Sequence, residues 1–327
     1  MHRDEMTAVV HDRYGPPDVL RLDQVPVPDP APGEVRVRIR AASVNAGDWH
    51  MMRADPFFIR LVYGGLLRPR HPILGSDVAG CVDALGSGVA THTLGDAVFG
   101  DLSSHGFGAF AEYVCAPAEA LVGIPENVTP EEAAAVPVAA LAALQGLRDV
   151  GGVQAGHRVL VNGASGGVGT FAVQLARHLG AHVTGVCSTR NVELVRSLGA
   201  DRVVDYTEAD VTQQPERYDV VLDAAAFRSP LAFRSTLTPT GVYVLVGGST
   251  ARLLQAAVLS LGGRRQGMRI KVLTSASNPA DLSVLRDLLA AGAIAAAVGQ
   301  TYPLAGVPDA IRRLEHRRAS GKVVITV

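Results

Sequence analysis

Within the stretch ASVNAGDWHMMR (residues 42–53), Asn45, Asp48 and His50 fall inside six residues. Nitrogen and oxygen groups this close are raw material for a metal site, a proton relay or a polar turn. Local spacing leaves all three open. A second stretch, VLVNGASGGVGTFAVQLA, sets Gly163, Gly166, Gly167 and Gly169 between a strand-like run and a helix-like run. Ala164-x-Gly166-x-x-Gly169 follows the spacing of the dinucleotide fingerprint, with alanine in place of its first glycine. A tight turn needs little side chain at Ala164. Gly166 lets the backbone approach a pyrophosphate, and Gly169 lets the helix close on the strand. The helix start then offers N–H groups and a positive dipole end to phosphate. The predicted cradle is Gly163, Ala164, Ser165, Gly166, Gly167, Val168 and Gly169.

The end of the next strand, GVCSTRN at 185–191, decides which dinucleotide is expected. An NAD site places a carboxylate there for the ribose 2′-hydroxyl. Here stand Ser188, Thr189 and Arg190, with no acid until Glu193. A hydroxyl and a guanidinium suit a 2′-phosphate, so the expected cofactor is NADPH.

The elements that must position these groups follow two patterns. In EVRVRIRA (34–41), Val35, Val37 and Ile39 alternate with arginines, as in a half-exposed antiparallel strand. Short apolar runs at 77–85, 96–99 and 109–115, separated by glycine turns, make the first third a β-barrel or sandwich. From Thr129, Pro130 and Glu132, which spell a capped helix start, helices and strands alternate and predict a parallel sheet. Strands are expected at 157–163, 182–187, 202–205, 218–223 and 241–247, with a helix over 166–180. A later helix begins at Asn278 and Pro279, and GKVVITV closes the chain as a strand.

Composition narrows the classes. Thirty basic residues against thirty-one acidic, with no basic block and 5% aromatics, give no nucleic-acid surface. No apolar run is long enough to span a bilayer, and the start lacks the pattern of a secretory signal. Cys81, Cys115 and Cys187 are scattered, as reduced thiols of a cytoplasmic protein would be.

With these residues in hand, the chain resembles the medium-chain dehydrogenase/reductases, and within them the zinc-free quinone oxidoreductase branch. The resemblance runs nearly end to end through YGPPDVL, ASVNAGDW, LGSDVAG, GDAVFG, GAFAEYV, NGASGGVG, LGADRVVDY and GKVVITV. It implies an α/β chain: a GroES-like β-barrel catalytic domain from residues 1–125 and 266–327, with a doubly wound Rossmann domain over 126–265 and the active site in the cleft. In similar zinc alcohol dehydrogenases a cysteine ligand stands at the position of Asn45, and Gly-His-Glu at Gly75-Ser76-Asp77. The third ligand has no counterpart, so no metal is expected. Without that Lewis acid, the implied reaction is hydride transfer from NADPH to a quinone or to the C=C bond of an enal or enone. Asn45 and Tyr63 are the candidate donors to the acceptor oxygen, while Asp48 and His50 are candidates for a proton relay or for a mere turn. The apolar insert 53–69 is expected to line the acceptor pocket or to pack as an extra helix.

The resemblance also assigns to the cofactor residues 138–141, Tyr206, and the turn holding Val246, Gly247 and Gly248. It implies a homodimer in which RIKVLTSA (269–276) pairs across subunits. Two other readings stay open. One is a reductase of a larger acceptor such as an enoyl thioester, drawn to Arg60, Arg68, Arg70, Arg264 and Arg265. The other is a non-enzymatic NADPH sensor. A short-chain dehydrogenase is excluded, because no Tyr-x-x-x-Lys occurs.

Overall fold

A computed structural model of the chain describes residues 4–57, 59–62, 65–248, 250–261, 268–316 and 319–327. The chain forms two compact units, Met1–Val138 with Ser277–Val327, and Ala139–Ala276.

The first unit opens with an antiparallel pair, β1 (Glu5–Val10) and β2 (Arg21–Pro26). β3 (Glu34–Val44) then pairs antiparallel with β4 (Asp77–Leu85) and with β6 (Tyr113–Pro117). β5 (Ala97–Asp101) and β7 (Leu121–Gly123) extend the sheet beyond β4. The expected alternation of β3 holds over Val35, Val37 and Ile39, which are buried. Arg36 departs from it: its guanidinium pairs with Asp83 at 2.8 Å and lies over the Tyr113 ring. Between β3 and β4 lie α1 (Ala46–Arg53) and the single turn α2 (Ile59–Val62).

α3 (Pro130–Ala134) starts as expected, with the Thr129 hydroxyl accepting from the Glu132 N–H and the Glu132 carboxylate from the Thr129 N–H. Pro137 begins a new helix, α4 (Pro137–Gln145), so the apolar run 130–145 is two helices rather than one.

The second unit is a six-stranded parallel sheet of β8 (Arg158–Asn162), β9 (His182–Cys187), β10 (Arg202–Asp205), β11 (Tyr218–Asp223), β12 (Leu237–Leu245) and β13 (Arg269–Val272). Its order, β10-β9-β8-β11-β12-β13, reverses direction at β8, as in a doubly wound fold. Helices α5 (Gly167–His178), α6 (Val192–Ser197) and α7 (Thr250–Leu261) lie on the connections. α5 buries Phe171, Ala172, Leu175 and Ala176 together with Thr170, Val173 and Gln174, so more of its surface is covered than one apolar stripe.

The chain then returns to the first unit. α8 (Pro279–Ala290) is capped by the Asn278 side chain, which accepts from the Ala280 N–H at 3.0 Å. β14 (Val298–Pro303) pairs parallel with β15 (Lys322–Thr326), and β15 pairs antiparallel with β3. Between them, α9 (Val307–Glu315) is tied to α1 by the Arg53–Glu315 ion pair.

The units part at 138/139 and 276/277 rather than at the expected 125/126 and 265/266. The physical reason lies at each end. α3 packs on β3 and β4, and β13 is held by its ladder to β12.

Candidate functional site

In the second unit the glycine loop joins β8 to α5. Gly163 has φ +84°, and a Cβ there would crowd Ala225; at Gly169 a Cβ would overlap the Gly163 carbonyl oxygen and Cα of Ala164. Gly169 therefore closes the helix on the loop, as the spacing predicts. Gly166 is different. It is the N-cap of α5, and a Cβ there would meet only the Gly163 oxygen at 3.4 Å, so packing does not demand glycine. An open backbone at the start of a helix, where the first-turn N–H groups lack intrahelical acceptors, is what a pyrophosphate requires. The N–H groups of Gly163 and Ala164 both bond to the Val186 carbonyl, fixing the loop to the end of β9.

Asn191 was not singled out in the sequence. Buried, it donates to the Ser165 hydroxyl at 3.0 Å and to the Ser188 hydroxyl at 3.3 Å. It thus joins the phosphate loop to the segment expected to read the 2′-position. Arg190 is exposed and makes no ion pair among the described residues. Asp205 is unmarked in the sequence as well. No acid follows β9 closely in sequence, yet the sheet places Asp205 in register with Cys187. Its carboxyl is held below its ordinary value by Thr189 first, and also accepts from the Thr207 N–H and hydroxyl. Tyr206, more than half exposed, shares a cavity of about 320 Å³ with Asn162, Phe227, Arg228 and Phe233.

Val246, Gly247 and Gly248 leave the end of β12, with φ +78° at Gly247 and +128° at Gly248. The Val246 N–H bonds to the Asp223 carbonyl. The Asp223 carboxylate, buried at the end of β11, accepts from Asn162 Nδ2 (2.8 Å), the N–H groups of Ala225 (3.0 Å) and Ala226 (2.8 Å), and the Tyr243 hydroxyl (2.5 Å). It braces the carboxyl ends of β8, β11 and β12, where doubly wound sheets bind ligands. Burial, with Asp223 beside it, raises the Tyr243 phenol far above its usual range.

In the first unit the opening stretch resolves into two clusters. Asp48, buried in α1, accepts from the Asn45 N–H at 2.7 Å and the Gly75 N–H at 3.2 Å. Both oxygens serve backbone, which is the turn-holding alternative. Burial, with the Asp77 charge adding to it, pushes its carboxyl up to about 7. The His50 ring stacks on Trp49 and bonds through Nδ1 to the Asp55 carbonyl. Tyr63 lies outside the described residues, as do Phe58, Ser249, Arg264 and Arg265. The described part of the insert holds the single turn α2. Ile59 is buried, but Phe57, Leu61, Leu66 and Leu67 are exposed. Arg60 lies over the rings of Tyr14 and Phe57.

The second cluster joins Ser43, Asn45, Asp77 and Lys322, all buried. Nothing in the sequence marks this lysine, which lies 277 residues from Asn45. Lys322 Nζ donates to Asn45 Oδ1 at 2.6 Å and to Asp77 Oδ2 at 3.1 Å. The same Asp77 oxygen accepts from Asn45 Nδ2 at 2.9 Å and from the Ser43 hydroxyl at 2.5 Å. Asp77 Oδ1 takes the Val138 N–H at 2.9 Å. Asp77 thus accepts from four donors and holds the cluster together.

A zinc ion does not fit this donor set. The lysine ammonium already occupies the space between the amide and carboxylate oxygens, and serine and asparagine are weak zinc ligands. Among the described residues, no group of three or more His, Cys, Asp or Glu is placed to hold a metal.

A doubly wound unit whose glycine loop opens a helix, together with a mostly antiparallel β unit holding a buried polar cluster, makes up a dehydrogenase/reductase architecture. The profile described as "Alcohol dehydrogenase GroES-like domain" matches residues 31–126, and that described as "Zinc-binding dehydrogenase" matches 198–325. The chloroplast envelope quinone oxidoreductase homolog of Arabidopsis thaliana is 34% identical over 92% of each chain. The 2-methylene-furan-3-one reductase of Solanum lycopersicum is 33% identical over 98% of this chain and 79% of its own. The structure of the quinone oxidoreductase from Coxiella burnetii superposes with a TM-score of 0.87 at 29% identity, covering 99% of both chains. The chain belongs to the medium-chain dehydrogenase/reductases of the quinone oxidoreductase type. Among the described residues, no helix is long and apolar enough to cross a membrane.

Proposed function

We propose that the protein is a zinc-independent, NADPH-dependent reductase that transfers hydride to a quinone or to the C=C bond of an α,β-unsaturated carbonyl. The observation that carries this reading is the Lys322 ammonium held between Asn45 and Asp77, at positions where the resemblance puts zinc ligands in alcohol dehydrogenases. A metal that would hold an alkoxide is thereby replaced by a buried cation and an amide, a set suited to an acceptor that already carries an electron-poor double bond. The names of the Arabidopsis and Solanum relatives point to the same two acceptor classes.

The cofactor would be held by the loop 163–169, with the turn Val246, Gly247 and Gly248 toward the nicotinamide, and it supplies the hydride. The exposed Arg190, with Ser188 and Tyr206, favours a 2′-phosphate over a hydroxyl. Asn45 orients the acceptor. Of its two amide N–H groups one is spent on Asp77, and the other is the donor to the acceptor oxygen as hydride reaches the carbon. The proton that completes the reduction comes from solvent, and Tyr63 is a second candidate donor. The exposed edge of β13, with Leu254 and Val258 exposed on the neighbouring α7, supports pairing with a second copy. The scattered free thiols support a reducing, cytoplasmic setting.

The test is turnover of purified protein with NADPH or NADH against an ortho-quinone, an enal, an enoyl thioester, and a simple alcohol with NADP⁺. Reduction of the quinone or enal with NADPH is expected. Alcohol oxidation abolished by a chelator, or tight NADPH binding with no acceptor turned over, would overturn the reading. Sedimentation at micromolar concentration tests the dimer.

A further inference from the structure

Building on the reductase reading above, we propose that Lys322 is a positioning residue that sets which end of the Asn45 amide faces the acceptor and strengthens its free N–H. The geometry follows from three strand ends. Val44 at the end of β3 pairs with Val323, and Ser43 pairs with Asp77, so the first residues of β4 and β15 converge on Asn45. Lys322 is buried at 3% exposure, and Asn45 keeps slightly more of its surface, 8%.

An asparagine amide has an accepting end and a donating end that are nearly the same shape, and its neighbours decide the orientation. Here the ammonium takes Oδ1 and the carboxylate takes Nδ2. A 180° turn would set NH₂ against NH₃⁺ and oxygen against oxygen, so the two charges hold one orientation. Nδ2 spends one hydrogen on Asp77 and keeps one. A cation on the amide oxygen draws electron density from the nitrogen, and linked hydrogen bonds strengthen one another in a dry setting. The remaining N–H is thus a stronger donor to the negative charge that builds on the acceptor oxygen. Lys322 reaches the reaction only through Asn45.

Removing Lys322 alone leaves the Asp77 carboxylate buried and unpaired, so the main variant neutralises both, Lys322→Met with Asp77→Asn. It is compared with Asn45→Ala and with the triple variant, using NADPH and whichever acceptor the wild type reduces. The neutral pair is expected to lose about tenfold in kcat, less than loss of a whole oxyanion donor, with the Kd for NADPH unchanged. Adding Asn45→Ala to it is expected to cost about tenfold less than the same change in the wild type, because Lys322 acts only through the Asn45 donor. Lys322→Gln beside native Asp77 keeps a neutral donor and gives a second route to the same loss. Wild-type kcat in either Lys322 variant overturns the inference. So does an Asn45→Ala penalty equal on the wild-type and neutral-pair backgrounds, which a merely structural lysine would give. If the wild type reduces no acceptor, the reductase reading fails and the inference falls with it.

Discussion

Asp77 and Asp223 are both fully buried carboxylates at strand ends, one in each unit, and each accepts four hydrogen bonds. The donors differ. Asp223 is surrounded by neutral dipoles: two backbone N–H groups, an amide and a phenol. Asp77 has a hydroxyl, an amide, an N–H and a lysine ammonium. Neutral dipoles are enough for a carboxylate whose task is to brace turns of fixed shape around a cofactor. A full opposite charge does more: its removal leaves a buried ion without compensation, and its field polarises the amide beside it. One unit therefore carries a rigid cradle of backbone, and the other a charged cluster of side chains.

The largest expected effect breaks this contrast directly. Lys322→Ala strips Asp77 of the one cation that pairs with it among the described residues and is expected to cost about 3–5 kcal/mol. Tyr243→Phe removes one neutral donor from Asp223 and is expected to cost about 1.5–3 kcal/mol. Urea denaturation of both variants measures the difference. Equal losses would mean that the two carboxylates are held alike, and that the charge of Lys322 adds nothing special.

Within the cradle, two glycines separate packing from binding. A methyl at Gly169 meets the Gly163 carbonyl, so Gly169→Ala is expected to destabilise by about 1–3 kcal/mol, as overpacking does. It would weaken cofactor binding only as a consequence. A methyl at Gly166 meets no atom closer than 3.4 Å. Gly166→Ala is thus expected to melt like wild type yet lose NADPH affinity, read by fluorescence titration. Wild-type affinity in Gly166→Ala would remove that glycine from the phosphate site.

This division also explains what the sequence made legible. The cradle is contiguous: one loop supplies seven residues in order, and backbone geometry requires glycine at Gly163 and Gly169. Helix starts at Thr129 and Asn278 were readable for the same reason, because a cap and its acceptors are two or three residues apart. The charged cluster draws on residues 43, 45, 77, 138 and 322. Only the pairing of β15 with β3 brings the lysine in, and nothing in GKVVITV marks its lysine as buried. Asn191 and Asp205 were hidden in a milder way. Asn191 looks like any residue at a helix start, and Asp205 reaches Thr189 only because β10 lies beside β9. The boundaries slipped for a related reason, since α3 and β13 choose their units by packing and pairing rather than by composition.

A smaller effect sharpens the contrast at the 2′-position, where side chains rather than backbone do the reading. Arg190 is exposed and free of an acidic partner among the described residues, while the nearby Asp205 already has Thr189 and Thr207 as donors. Arg190→Ala is expected to raise the KM for NADPH about tenfold, close to 1.4 kcal/mol, and to leave that for NADH nearly unchanged. Steady-state kinetics with both cofactors decides it. An equal loss with NADH would assign Arg190 to general attraction of phosphate, and a wild-type preference for NADH would sink the NADPH assignment altogether.

The smallest effect comes from protons held by the charged cluster's neighbours. Burial pushes the Asp48 carboxyl from its ordinary 3.8 up to about 7, against the pull of its two backbone N–H donors. A folded-state value above the unfolded one means the native protein keeps a proton that the unfolded chain has lost. Stability therefore falls as pH rises from about 4, and the fall levels off above about 7. Asp101, pushed up to about 6 chiefly by burial, acts in the same direction over a narrower window. Asp48→Asn gives up one N–H acceptor at every pH but carries no charge to titrate. The stability difference, wild type minus variant, is expected to shrink by about 1 kcal/mol between pH 6 and 7. Urea midpoints at the two pH values measure it. A difference that stays flat would mean that Asp48 is ionised throughout, its two N–H bonds outweighing burial. Asp48 would then be a second buried carboxylate charge acting on Asp77 and Lys322, and the demand on Lys322 would be greater still.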